Sequence, residues 1–202
     1  MRIEPNGRPM ERRATRFASV AIALAVAGIL AGCGGGGSAS SSSDQAAEHY
    51  VAGACSAMTT WGKGIKSEVA DLQSKVAGAP DLSARKQLFV DFTKRLSQTT
   101  DTLVTRLQTL GAPAVQGGAD VHRQILGAFE SVQSTLKSAE TEAEALPTDD
   151  VAEFKKRVNA IGTEIGGIGD AFQNVGNMKN AALDSAFSKD QTCQKMQTIF
   201  SS

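Results

Sequence analysis

The chain has 202 residues and balances 21 basic against 21 acidic side chains, enough for one domain once targeting segments are set aside. The balance is uneven: residues 1–32 hold five arginines (Arg2, Arg8, Arg12, Arg13, Arg16) and two acids (Glu4, Glu11), leaving 16 basic and 19 acidic residues, a net charge of −3, in the remainder. A mildly acidic domain has no electrostatic footprint for nucleic acid, and the absence of strand-length alternation between β-branched or aromatic and polar residues gives a sheet little support.

The first element is Phe17 to Leu30 (FASVAIALAVAGIL), fourteen residues without a charge behind an arginine-rich stretch. It has the charged n-region and short h-region of a secretory signal and is short of the roughly 20 apolar residues a membrane-spanning helix needs. Leu30-Ala31-Gly32-Cys33 follows at once. These four residues resemble the lipobox of bacterial lipoproteins. The resemblance covers residues 1–33 and implies that a diacylglyceryl group is joined to the Cys33 thiol and that a peptidase cuts just before it. Residues 1–32 are then a lipoprotein signal peptide, and the mature protein is exported and anchored to the outer face of the cell membrane through Cys33. Two or more acyl chains, each buried methylene contributing about 0.8 kcal/mol, hold a protein stably where a single chain does not. Counting from Met10 shortens the n-region to MERRATR, without Pro5, Gly7 and Pro9, which makes Met10 a candidate start.

Gly34 to Ser43 (GGGGSASSSS) is a coil by composition, spanning about 17 Å on average. Residues 33–43 are thus expected to tether a folded domain of residues 44–202. In that domain four segments repeat apolar residues at steps of three and four, the mark of one buried stripe on a helix. The first runs Val51, Cys55, Met58, Gly62, Ile65, Val69, Leu72, Val76. The second runs Phe89, Phe92, Leu96, Thr99, Leu103, Leu107, Leu110. The third runs Val115, Gly118, His122, Ile125, Phe129, Val132, Leu136, Ala139, Ala143, Leu146. The fourth runs Val151, Phe154, Val158, Ile161, Ile165, Ile168, Phe172, Val175. Gly78-Ala79-Pro80-Asp81, Gly111-Ala112-Pro113 and Pro147-Thr148-Asp149-Asp150 punctuate them, with Thr148 or Asp149 as the N-cap of the fourth. Asp81–Arg85, Asp91–Arg95 and Glu153–Arg157 are spaced for i, i+4 ion pairs. Short links between long helices predict an all-α, antiparallel up-down-up-down four-helix bundle; the alternative is an elongated coiled-coil hairpin pair that dimerises. A short C-terminal helix is expected after Ser188, capped by Ser188 with Gln191 and carrying Cys193, Met196 and Phe200.

With Cys33 committed to lipid, Cys55 and Cys193 form a pair in an oxidising compartment and read as a disulfide, two free buried thiols being the alternative. The predicted topology favours the bond, since it brings the start of the first helix beside the end of the chain.

The histidines are His49, expected in solvent, and His122 on the third stripe. His122 reads as a core histidine hydrogen-bonded to a neighbour, with a metal or haem inside the bundle as the other reading. The Glu-x-x-His pair of di-iron bundles is missing, as Asp120 and His122 diverge on a helix. Gly62-Lys63-Gly64 lacks the upstream glycine of a P-loop, Gly167-x-Gly169 meets Phe172 where a dinucleotide motif needs glycine, and no serine elbow or His-Glu-x-x-His occurs. The residues thus point away from an enzyme and call for no cofactor and no metal.

Two features of the predicted helices remain. Gly162, Gly166, Gly169 and Gly176 recur beside the fourth stripe, each costing about 1 kcal/mol against Ala. Close approach to the first or third helix would offset that, or else a shallow groove for a ligand or partner helix. Glu140, Glu142 and Glu144 lie in the last turns of the third helix, where the macrodipole disfavours acids. With Asp149, Asp150 and Glu153 they read as a solvated face, or as a weak cation site or a contact for a basic partner. Two functions follow: a non-enzymatic interaction or structural module contacting another envelope protein, or a carrier or sensor for a small apolar ligand or metal. An interior cavity above about 300 Å³ would favour the second.

Overall fold

The computed structural model describes residues 42–168 and 179–201; residues 1–41, with Cys33 and most of the expected tether, lie outside them. Every regular element among the described residues is a helix: α1 Ser42–Val76, α2 Leu82–Leu110, α3 Gly118–Glu144, α4 Val151–Gly166, α5 Ala181–Lys189 and α6 Gln191–Ser201. None is long and apolar enough to cross a membrane.

The helix ends follow from local hydrogen bonding. Asp81 accepts from the Ala84 amide at 2.8 Å, satisfying one of the four orphan N–H groups that begin a helix. Asp150, not Thr148 or Asp149, caps α4: its Oδ1 accepts from the amides of both Ala152 and Glu153. Ser188 likewise does not cap the last helix. Its hydroxyl donates to the Ser185 carbonyl within α5, while Asp190 accepts from Thr192 and Cys193 at 2.7 and 2.9 Å. In both corrections the carboxylate of the residue immediately before the helix takes two amides. At the end of α2 the chain turns through Gly111 at φ +69°, a left-handed conformation that a Cβ would strain. At the other boundary, α1 takes in Ser42 and Ser43, which composition had assigned to the coil; Asp44 lies in its first turn, where a negative charge complements the macrodipole.

Packing distances fix the directions of the long helices. On α1, a Cβ at Gly53 would meet Leu110 and one at Gly64 would meet Thr99, and Arg95 pairs with Glu68 and Asp71, so α1 and α2 are antiparallel. Asp101 accepts from Gln133 at 2.7 Å and Lys94 approaches Glu140 and Glu144, so α2 and α3 are antiparallel as well. Of the expected outer-face pairs, Glu153–Arg157 is present at 3.9 Å. Arg95 is taken by α1, and Asp81 is committed to its cap.

One large core joins α1, α2, α3, α5 and α6 through Tyr50, Trp61, Leu103, Phe129, Leu183 and Met196, among others. A smaller one, with Val90, Ala139, Leu146, Phe154 and Ile161, sits where α4 packs on α3. The fourth stripe therefore does not form one long helix beside α1. α4 ends at Gly166, whose successor Gly167 is its C-cap; Phe172 and Val175 lie outside the described residues. Among the described residues, the neighbours of α1 on that side are α5, which the periodicity does not show, and α6. No residue of α1 beyond Gly62 is fully buried, and Ile65, Val69 and Leu72 are half-buried.

Cys55 and Cys193 are joined by a disulfide between residues 138 apart in sequence. It fastens α6 to the first turns of α1, where both cysteines are buried. Phe200 falls within α6, but its side chain lies outside the described set.

The helical glycines behave oppositely in α1 and α4. A Cβ on Gly64 would lie 2.9 Å from Thr99 Cγ2, whereas one on Gly162 meets nothing within 4 Å. The close approach expected of Gly162 is made by α1 instead, because α4 turns Gly162 and Gly166 to solvent. Gly169 and Gly176 lie outside the described residues. Gly162→Ala should therefore raise stability by about 0.5–1 kcal/mol. Gly64→Ala, pressed against a stiff β-branched side chain, should be the less stable of the two by about 1–3 kcal/mol in denaturant titration. Replacing both cysteines of the disulfide by Ala should cost up to about 5 kcal/mol by the chain-entropy argument, measured the same way in the full chain.

Candidate functional site

Along α1, Ala47, Tyr50, Ala54, Ala57 and Trp61 follow steps of three and four beside the Val51 stripe and are all buried. The two aromatics bring polar atoms into the core that need partners. Tyr50 Oη lies 3.1 Å from His122 Nδ1, and the rings meet edge to face at a centroid distance of 5.7 Å. Burial pushes the Tyr50 hydroxyl up to about 12, so it keeps its proton at neutral pH. Burial pushes His122 below its ordinary value, favouring the neutral ring, whose Nδ1 can accept the phenolic proton. His122 is therefore the hydrogen-bonded core histidine of the sequence reading, with Tyr50 as the partner that reading did not name. His49 is exposed.

Trp61 donates from Nε1 to Thr100 Oγ1 at 3.0 Å, and Thr100 in turn donates to the Leu96 carbonyl at 2.9 Å. The indole also meets Phe129 edge to face at 5.3 Å. One wall of Trp61 faces a groove at the outer seam of α1 and α2. The groove encloses about 250 Å³ and is lined by Ala57, Gly64, Thr99, Thr102 and Arg106 as well as Trp61. Thr102 and Arg106 are exposed at its rim. It lies on the seam rather than in the bundle interior and is smaller than the roughly 300–1,000 Å³ of most small-molecule pockets. Neither Trp61 nor Arg106 was singled out from the sequence; the steps from Ala47 through Trp61 were the available sign.

The acidic end is only partly one cluster. Lys94 lies 3.0 Å from Glu144 and 4.0 Å from Glu140, and the hydrogen bond and charge of Glu144 raise the lysine's pKa. Asp150 is a cap, Glu153 faces Lys156 and Arg157, and Glu142 is exposed. Among the described residues no group of three His, Cys, Asp or Glu side chains is placed to hold a metal ion. The disulfide leaves neither Cys55 nor Cys193 with a thiolate for attack.

Stability should respond to pH through the Tyr50–His122 pair. As pH falls below about 6.5, an unfolded histidine takes up a proton that folded His122 resists, so stability present above that pH is lost below it. As pH rises past about 10, an unfolded tyrosine ionises while folded Tyr50 does not, so stability present below pH 10 is lost toward 12. Melting temperatures across pH should show His122→Gln flattening the first limb and Tyr50→Phe the second; unchanged limbs would refute the assignment.

Compared with protein-family models, with curated proteins and with solved structures, the chain matches none.

Proposed function

We propose that this chain is a bacterial lipoprotein whose helical domain is a non-enzymatic interaction module held at the outer face of the cell membrane. The carrying observation is the run Leu30-Ala31-Gly32-Cys33 directly after the fourteen-residue apolar segment and before a Gly/Ser coil, three features that agree on one processing route. In this reading the signal is removed before Cys33, the cysteine is lipidated, and α1 begins nine residues later. The exported compartment also suits a disulfide between Cys55 and Cys193.

We read the helices as an up-down-up-down bundle in which α4 and the α5–α6 pair share the fourth position. The acidic end then faces away from the membrane, since α3 runs away from the tether. A contact role is supported by what the polar groups already do. Tyr50, His122, Trp61 and Thr100 satisfy one another inside the core, and Asp150 and Asp190 are spent on caps, so these groups serve the fold rather than a paired nucleophile and base. The groove on the α1–α2 seam and the exposed carboxylate of Glu142 are surface features open to another envelope protein.

In the host, palmitate labelling should mark the wild-type chain and be lost in Cys33→Ser, which should leave the membrane fraction or accumulate uncut. Labelling that survives the substitution sinks the lipoprotein reading. Crosslinking in intact cells should give a reproducible protein partner; a chain that stays uncrosslinked at every surface tested would argue against the interaction role.

A further inference from the structure

We propose that the α1–α2 groove is the contact site for a protein segment that presents one large apolar side chain flanked by a carboxylate; this rests on the interaction-module reading above. The floor is apolar and rigid. The Trp61 indole is held by its bond to Thr100 and by the edge of Phe129, so a guest meets a ring already in place, and little ordering cost remains. The helix spacing is preset by the close approaches at Gly53–Leu110 and Gly64–Thr99. Thr60 and Thr102 donate their hydroxyl protons to the Ser56 and Gln98 carbonyls of their own helices, which removes them as donors to a guest. About 250 Å³ suits one anchoring side chain, the kind of preformed pocket in which interface energy concentrates, better than a drug-sized molecule.

Charge selects the flanking group. Arg106 is the one charged residue of the lining, and no ion pair engages it among the described residues. The nearest acid along α2, Asp101, accepts from Gln133 on the α3 side, and on α1 Glu68 and Asp71 hold Arg95 farther down the seam. A guest with a carboxylate beside its apolar group therefore finds a guanidinium free to pair bidentately, while a cationic guest is repelled.

Trp61 is the chain's single tryptophan, so its emission reports the groove in the full chain, solubilised in detergent micelles. The probes are the capped tetrapeptides acetyl-Ala-Phe-Glu-Ala-amide and acetyl-Ala-Phe-Lys-Ala-amide. The glutamate peptide should give a saturable change and bind about three- to tenfold more tightly than the lysine peptide. Arg106→Glu should reverse that order, and Thr102→Phe, an exposed site on the rim, should abolish both titrations with the helical circular dichroism unchanged. No saturable change with either peptide, or an order indifferent to Arg106→Glu, overturns the proposal. Free 3-phenylpropionate binding as tightly as the glutamate peptide also overturns it, in favour of a site for small acids. If Thr102→Phe still yields the same crosslinked partner in cells, the groove is not the contact site but the interaction reading stands.

Discussion

The opening turns of α1 must satisfy three sets of neighbours at once. Toward α2 the helix comes so close that a Cβ at Gly53 or Gly64 would have to displace the side chain of Leu110 or Thr99. Toward α6 it offers Cys55, and toward α3 it sends Tyr50 and Trp61 to His122 and Phe129. A helix with one partner needs a single apolar stripe; this one carries two adjacent stripes, one led by Val51 and the other by Ala47. Small residues do much of this work, since Ala47, Ala54 and Ala57 are all buried and let neighbouring backbones draw near. Where the demand lapses, beyond Gly62, burial lapses with it.

The same crowding puts partners within reach of several polar atoms in the core. Thr93 and Thr100 are fully buried, yet each hydroxyl donates to a carbonyl of the preceding turn of α2. Thr100 goes further and accepts the Trp61 proton, so one hydroxyl serves two helices. An orphaned indole N–H in this position would cost about 1–3 kcal/mol. Tyr50 and His122 solve the same problem reciprocally, one ring's donor meeting the other's acceptor.

The stripes of α2 and α3 were legible because each faces a well-defined side: Leu96, Leu103 and Leu107 are buried as spaced, as are Phe129, Val132 and Leu136. The Cys55–Cys193 bond was legible from cysteine parity and from the export that the signal-like segment implies. What the periodicity could not show was the fate of the fourth stripe. Its apolar residues keep helical register through Val175, but the adjacent pair Gly166-Gly167 ends the α-helix, a backbone effect that a pattern of side chains does not register. Trp61 was passed over because Gly62 fills the next place in the heptad, and a template that admits one stripe per helix leaves its neighbour unread. The caps were misassigned by one or two residues for a simpler reason: in runs such as Thr148-Asp149-Asp150 several side chains can cap, and only the backbone conformation, extended at Asp150, decides among them.

The disulfide also determines how the molecule carries mechanical load. Cys55 lies in the early turns of α1 and Cys193 in the third residue of α6, so a pull between the two ends of the chain passes from one sulfur to the other and bypasses everything threaded between them. Among the described helices, the opening turns of α1 and the last turns of α6 lie in the line of tension. The cores around Trp61 and Phe154, the turns between the long helices and the groove on the α1–α2 seam are all slack with respect to such a force. A protein fixed at its amino end and gripped near its carboxyl end would stretch at its margins while its interior kept its shape.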